Sequence, residues 1–410
     1  MEMSVSRNDN KQHFAIGLLA AGHLCTDIAQ GALPALLPFL IYAHGLKFAQ
    51  AGGLMFAMSI GSSVVQPVFG FYADRLAKPW LMSVGLLFTG VGIALAGIAT
   101  HYWTLLLVMA ICGLGNAAFH PEGARLVNHA AGRNKATAMS IFSFGGNAGF
   151  ALGPLLVAGL YFLWGLHGTL LLAVPPLVMA MILFSQMHRF TSADSAAVII
   201  AKRAAASALH DNWGAFSWLS ILVFCRSIIF YAIITFLPLF WIYILHQTKG
   251  AGSIMLTVFF GVGAISTLIG GRLAERIGYR NIVIIGFGLL LPMLWLWLHT
   301  VTVLFAILAL IPMTICLYAP FSTMVVLGQQ YLPNRVGFAS GVTMGLAVSI
   351  GGLMAPVLGH WADLHGLRSA LMLVTCLPAI CIVIAFLLPV APLKQAAKNV
   401  PPPVVAEFVE

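Results

Sequence analysis

Long apolar stretches, interrupted at regular intervals by short polar turns, run through almost the whole chain. A helix needs about 20 apolar residues to cross the hydrocarbon core of a bilayer. Stretches without Asp, Glu, Lys or Arg include 48–73, 79–121, 136–188, 281–334, 336–362 and 369–393. The three longest have room for two spans and a turn each. The pattern therefore predicts an all-α membrane protein that crosses the bilayer many times.

Twelve transmembrane helices are predicted, six on either side of one polar segment. They cover approximately 14–42, 49–73, 79–99, 103–128, 134–163, 167–187, 213–245, 251–274, 281–299, 301–330, 335–361 and 368–389. We expect an N-terminal six-helix bundle over 1–187, a cytoplasmic linker over 188–212 and a C-terminal six-helix bundle over 213–390. The remaining residues, 391–410, are predicted to form a disordered cytoplasmic tail.

The two sets of six spans resemble each other. After the second span the chain reads GFYADRLAKP from Gly70, and after the eighth it reads GRLAERIGYR from Gly271. Each stretch has a glycine, three further residues, an acid and then an arginine. Weak internal repeats of this kind are typical of transporters whose site lies near the bilayer midplane between two pseudo-symmetric bundles.

Charge composition excludes a soluble protein and orients the chain in the membrane. Only 8% of the residues are charged, against about 25% in soluble domains. Fifteen of the twenty Lys and Arg lie at alternate segment ends, which predicts both termini in the cytoplasm. We expect the protein in the cytoplasmic (inner) membrane. The net charge of +9 therefore reports orientation and predicts no nucleic-acid partner. The predicted outer turns carry histidine instead: His44, His101, His167, His246, His299 and His365.

Cysteine usage indicates neither a disulfide framework nor a metal centre. The six cysteines all fall within predicted spans, and no CxxC motif is present. We expect free thiols, no metal and no cofactor.

Two acids, Asp27 and Glu122, lie deep within predicted spans. A charge at the bilayer centre costs roughly 2.5–3.5 kcal/mol even on lenient scales, so such residues face a cavity or a partner. In span 1, His23, Asp27 and Gln30 follow i, i+4, i+7 spacing, which places them on one helix face.

Span 4 contains a second polar group, and span 7 contributes Arg226. Glu122 and Arg125 are i, i+3 neighbours that can pair, either as part of a mechanism or as a closed ion pair that locks the fold. His120, like His23 in span 1, either lines a cavity or makes an interior hydrogen bond.

Span 5 is rich in small residues, including Gly145, Gly149, Gly153 and Pro154. We expect these residues to permit close helix packing, in preference to a binding role.

Charged residues lie at the cytoplasmic ends of spans 2 and 8 and just beyond. We interpret them as gate contacts that hold an outward-open state, or as simple helix-end charge pairs. These residues are Asp74, Arg75, Glu275, Arg276 and Arg280.

Several stretches also resemble a known family. The loops after spans 2 and 8 resemble the loop signature of the major facilitator superfamily. HLCTDIAQGALPALLPFL from His23, FHPEGARLVNHAAGRNKATAMSIFSFGGNAGFALGPLL from Phe119 and QQYLPNRVGFASG from Gln329 resemble the fosmidomycin resistance proteins. The resemblance implies a proton-driven drug exporter in which spans 1, 4, 7 and 10 line the cavity.

The leading functional hypothesis is a proton-coupled antiporter that exports a small polar or anionic compound, such as a fosmidomycin-like drug or a related metabolite. No nucleotide-binding or catalytic motif predicts an enzyme. Burial makes a carboxyl group harder to ionise and a nearby arginine makes it easier, so Asp27 or Glu122 would take up and release the proton. The residues assigned to substrate binding are His23, Gln30, His120, Arg125 and Arg226.

Two alternatives stay open at this point. One is an importer or facilitator of a small anionic metabolite on the same fold. The other is a transport-dead membrane sensor or scaffold. The expected partners are a small-molecule substrate, protons and the lipid bilayer, and the protein is expected to be a monomer.

Overall fold

The computed structural model describes residues 2–63, 79–130, 135–187 and 210–389, and no strand occurs within these ranges. Residues before the undescribed segment 188–209 are called the first half, and residues after it the second half. The predicted linker lies outside the described residues apart from 210–212, and the predicted tail lies outside them entirely.

The described residues of the first half form six helices. They are α1 Glu2–His44, α2 Phe48–Ser63, α3 Trp80–Leu95, α4 Tyr102–Ala130, α5 Lys135–Trp164 and α6 Val174–Ser185. A 3₁₀ segment, Gly165–Ala173, joins α5 to α6, and the chain reverses at Gly165, whose φ of 59° favours glycine.

Residues 210–389, the described part of the second half, also form six helices. They are α7 Trp213–Tyr243, α8 Lys249–Ile277, α9 Tyr279–Leu298, α10 Val303–Tyr331, α11 and α12. Helix α11 consists of Val336–Ser340, the π-helical Gly341–Leu346 and Ala347–His365. Helix α12 consists of Leu367–Val374 and Cys376–Leu387.

The described helices fit the predicted membrane topology. Nine helical stretches are long and apolar enough to cross a bilayer, and one of them, Ala138–Ser185, contains two predicted spans. Helices α2 and α3 are shorter in the described ranges, at 16 residues each. Large apolar side chains cover the outward-facing surfaces, among them Phe162, Trp103 and Val301. The prediction of an all-α membrane protein is confirmed.

Helices α1 and α5 pack with their backbones almost in contact. A Cβ atom built on Gly149 would lie 2.3 Å from the carbonyl oxygen of Leu24. Gly145 and Gly153, one turn to either side, approach the carbonyl oxygens of Ala20 and Ile28 in the same way. Small residues at this spacing allow the close approach that membrane helices use in place of a hydrophobic driving force.

The two halves meet along α2 with α11 and along α5 with α8. A Cβ on Gly52 of α2 would lie 2.4 Å from the carbonyl oxygen of Ala355 in α11. The Thr257 hydroxyl of α8 donates to the Ala151 carbonyl of α5 at 3.0 Å. The end of the molecule that holds His44, the start of α2 and the end of α11 is called the predicted outer end.

The α1–α5 contact predicts that adding one methyl group to a glycine of α5 destabilises the protein only where that glycine touches α1. Gly149→Ala should lower the free energy of unfolding by about 1–3 kcal/mol, because overpacking forces the backbones apart. The readout is the midpoint of thermal unfolding in detergent. Gly159→Ala, on the same helix but with nothing within 4 Å of the added Cβ, should leave the midpoint unchanged or raise it. Equal effects of the two changes would contradict the packing account.

Candidate functional site

Asp27 is the centre of a hydrogen-bonded network between α1 and α4. Asp27 is only 4% exposed. Its Oδ1 accepts from Gln30 Nε2 at 2.8 Å and lies 3.0 Å from His120 Nε2. Its Oδ2 lies 3.1 Å from His23 Nε2. The i, i+4, i+7 spacing on α1 therefore places His23, Asp27 and Gln30 together, and α4 adds His120.

The contact of the other His23 nitrogen, Nδ1, fixes the position of one ring hydrogen. His23 Nδ1 lies 2.8 Å from the backbone carbonyl oxygen of Phe142 on α5, and the two rings stack with their centres 4.1 Å apart. A carbonyl can only accept a hydrogen bond, so Nδ1 carries a hydrogen. The contact between His23 Nε2 and Asp27 Oδ2 then needs one more proton, on either the imidazole or the carboxyl group.

A glycine on α5 makes room for this pair. A Cβ on Gly146 would lie 2.5 Å from His23 Nε2 and 2.6 Å from Asp27 Oδ2. The close packing of α5 on α1 therefore does more than stabilise the fold. It brings the Phe142 carbonyl to His23 and leaves no space on that side of the pair for a larger residue.

The nitrogen and oxygen donors of His23, Asp27 and His120 lie within 4.8 Å of one another, so together they could also surround a single metal ion. We interpret their contacts as hydrogen bonds, because separations of 3.0–3.1 Å fit N–H···O geometry and Gln30 donates to the same carboxylate. The expectation of no metal stays a prediction.

Glu122 and Arg125 form a two-point ion pair on α4. Arg125 Nε donates to Glu122 Oε2 at 3.0 Å, and Nη2 donates to Oε1. The Glu122 side chain is fully buried. Such fork-like pairs are strong and geometrically specific, so each charge satisfies the other without help from the Asp27 network.

Arg226 lies on α7, in the second half. It is 7% exposed, and its Nε donates to the Leu317 carbonyl of α10 at 3.2 Å. Its guanidinium carbon lies 4.4 Å from the ring centre of Phe321, with Phe230 and Tyr318 at 5.5 and 5.8 Å. Within the described ranges, no carboxylate pairs with Arg226 and no first-half candidate contacts it.

The predicted gate residues are only partly within the described chain. Asp74 and Arg75 lie outside it. Glu275 and Arg276 are exposed at the end of α8. Arg280 donates to the carbonyls of Ala385 and Phe386 at the end of α12, within its own half. A gating role for these residues stays a prediction.

Residues 19–356 and, in a second match, 219–407 fit the family model of the Major Facilitator Superfamily. The chain belongs to the Major Facilitator Superfamily.

Two relatives cover nearly the whole chain. It is 31% identical to the fosmidomycin resistance protein of Escherichia coli (strain K12) over 390 residues, which cover 91% of this chain and 92% of that protein. It is 33% identical over 378 residues to the uncharacterized MFS-type transporter YfnC of Bacillus subtilis (strain 168), with 90% of each chain covered. The resemblance inferred from the motifs is therefore confirmed.

A solved structure of the same fold is that of a bacterial homolog of the human lysosomal transporter Spinster, in an inward-facing and occupied conformation. The TM-score is 0.77 at 16% identity, with 92% of this chain and 96% of that chain covered. Major Facilitator Superfamily membership makes this protein a multi-pass membrane transporter of small molecules and not an enzyme.

The Glu122–Arg125 pair predicts a rescue by double substitution. Arg125→Met leaves a carboxylate buried without its partner and should lower the free energy of unfolding by about 3–5 kcal/mol. Replacing both residues (Glu122→Leu with Arg125→Met) should restore most of this loss, because apolar side chains of similar volume need no partner. Thermal unfolding of the two purified variants is the measurement. A double variant no more stable than Arg125→Met would contradict the interpretation as an ion pair.

Proposed function

We propose that this protein is a proton-coupled antiporter that exports a small anionic or polar compound, such as a fosmidomycin-like drug or a related metabolite. It would act as a monomer in the cytoplasmic membrane, with both termini in the cytoplasm. The observation that carries the proposal is the His23–Asp27 contact, which is a hydrogen bond only while it holds a proton.

The network links protonation to conformation through the His23–Asp27 contact. With the proton present, Asp27 has partners on both oxygens, and His23 has partners on both nitrogens. Without the proton, a carboxylate and an imidazole lone pair face each other at 3.1 Å. That arrangement loses a hydrogen bond in a buried site, where unpaired polar groups are costly. Loss of the proton therefore favours a rearranged state.

Glu122 is the other candidate for the proton. Its two oxygens are both engaged by Arg125, and an arginine does not deprotonate in proteins. Protonation of Glu122 would leave a charged arginine without its partner. The contacts therefore favour Asp27 as the proton site and a structural part for Glu122.

The environment of Arg226 supports the proposal that the substrate is an anion. A buried cation is costly without a counter-charge, and the described residues supply no carboxylate for it. A phosphonate or carboxylate group would supply the missing charge and match the planar guanidinium fork. Phe230 and Phe321 offer apolar surface for the rest of a small molecule. The similarity to a protein named for fosmidomycin resistance points the same way.

Transport would couple the two sites by exchange. Proton entry from the outside at Asp27 and release to the inside would accompany movement of the anion outward, as expected for two bundles that rock about a central site. Export is preferred to import because of the similarity to a resistance protein.

Proteoliposomes test the proton site. With fosmidomycin as the probe and a chelator present throughout, Asp27→Asn should abolish accumulation of the drug driven by a pH gradient, because an amide cannot exchange the proton. Glu122→Gln should retain gradient-driven accumulation, corrected for the amount of folded protein.

The opposite pattern would assign the proton to Glu122. If neither substitution changes gradient-driven accumulation, coupling lies outside both residues. Wild-type accumulation without any gradient dependence would remove proton coupling and favour a facilitator, and no fosmidomycin movement at all would remove this drug as a substrate.

Arg226→Met should raise the KM for fosmidomycin by roughly 10- to 100-fold, since charge-assisted hydrogen bonds contribute about 1.5–3 kcal/mol each. The same measurement on Arg368→Met gives the matched control. Arg368 is also in the second half and donates to a backbone carbonyl, that of Thr300, at the predicted outer end. A KM that is unchanged in Arg226→Met, or equally raised in both variants, would assign Arg226 to the structure alone.

A further inference from the structure

The first amides of α2 are capped by a side chain from the other half of the molecule. Asp363, near the end of α11, accepts from the backbone N–H of Phe48 at 2.8 Å through Oδ1 and from that of Ala49 at 2.9 Å through Oδ2. The first N–H groups of any helix lack partners within the helix and carry partial positive charge. Such caps normally come from the residue just before the helix, whereas this one lies 315 residues away in sequence.

Other contacts close the same end. A Cβ on Gly359 of α11 would lie 2.3 Å from the Phe48 carbonyl oxygen, so the two backbones abut there. Lys249 Nζ, at the start of α8, lies 3.6 Å from the ring centre of Tyr42 on α1. The predicted outer end is therefore held shut by contacts between the first and second halves.

Asp363 differs from the other acids in these contacts. Among the described residues, the hydrogen bonds and ion pairs of Asp27, Glu122 and Asp211 stay within one half. Asp363, in contrast to these three acids, joins the two halves through its carboxylate. It is also exposed, so water can take over its hydrogen bonds when the halves separate, and the contact can break and re-form.

We propose that Asp363 is a gating residue. Its two hydrogen bonds to the start of α2, here called the latch, hold the predicted outer end closed and break each time that end opens. The inference rests on the proposed function only in assuming alternating access between two halves. Both carboxylate oxygens are used, so an asparagine would keep one acceptor and turn an N–H₂ group toward the second amide. The latch should therefore weaken from Asp to Asn to Ala.

The test is the distance between spin labels at the predicted outer end, one in each half. Trp103→Cys and Val301→Cys provide exposed sites, each 78% exposed. Tyr102, beside the first, donates to the Gln50 carbonyl of α2, and Thr300, beside the second, accepts from Arg368 just after α11. The six native cysteines are replaced by serine or alanine, and the protein is measured in nanodiscs by pulsed electron resonance.

Asp363→Ala should raise the ratio of long to short label distances about tenfold, which corresponds to about 1.4 kcal/mol, and Asp363→Asn should raise it less. Asp211→Ala is the matched control. Asp211 also accepts from a backbone amide, that of Asn334 at 3.1 Å, and lies 3.6 Å from Arg335, but both contacts stay within the second half. Its distance distribution should equal that of the unsubstituted labelled protein.

An unchanged distribution in Asp363→Ala, or an equal change in Asp211→Ala, would overturn the proposal. If Asp363→Ala does not fold, Asp363→Asn decides, with an unshifted distribution counting against the latch. The measurement uses neither substrate nor a proton gradient. A shift in label distances together with failed proton coupling would thus leave the latch standing while the antiport proposal falls.

Discussion

A charged side chain can lie between lipid-embedded helices only if other groups in the protein replace the water it has lost. In this protein, Asp27 is surrounded by hydrogen-bond partners from His23, Gln30 and His120, and Glu122 is matched by an arginine on its own helix. Arg226 is the exception, since it has a backbone carbonyl and aromatic rings but no carboxylate among the described residues. In the mechanism that we propose, the Asp27 network holds the exchanged proton, and an anionic substrate supplies the counter-charge for Arg226.

The chemistry at Asp27 depends on how closely two helices pack. Glycines on α5 let its backbone reach α1, which places the Phe142 carbonyl against His23 Nδ1. That single backbone contact places a hydrogen on Nδ1 of His23. The nitrogen that faces Asp27, Nε2, is therefore the one whose protonation can change. A looser α1–α5 interface would free the imidazole ring, and the contact with Asp27 would no longer depend on one additional proton.

Much of the fold and part of the site could be predicted from the sequence. Apolar runs separated by polar turns predicted the all-helical fold, because span length is set by the bilayer. Helical periodicity placed His23, Asp27 and Gln30 on one face, and the i, i+3 spacing of Glu122 and Arg125 allowed the pair that the structure contains. These inferences succeed because they involve residues on the same helix.

Contacts between helices distant in sequence could not be predicted. Nothing in the pattern of α4 indicates that His120, and not Glu122, reaches Asp27. The Phe142 contact uses a backbone carbonyl, which every residue possesses, so no side chain signals it. Asp363 and the start of α2 are far apart in the chain, and their contact follows only from how the halves meet. The predicted gate residue Arg280 likewise contacts α12 in a way that its position at the start of α9 does not reveal.

Proton release by the purified protein tests the account most directly. Fosmidomycin is added to protein in weakly buffered, chelator-treated detergent solution, and the pH change is expressed per drug molecule bound. Linkage between the proton and the anion predicts release of about one proton per drug bound by the wild type and none by Asp27→Asn. Drug binding without proton release by the wild type, or equal release by Asp27→Asn, would contradict the claim that the buried His23–Asp27 pair holds the exchanged proton.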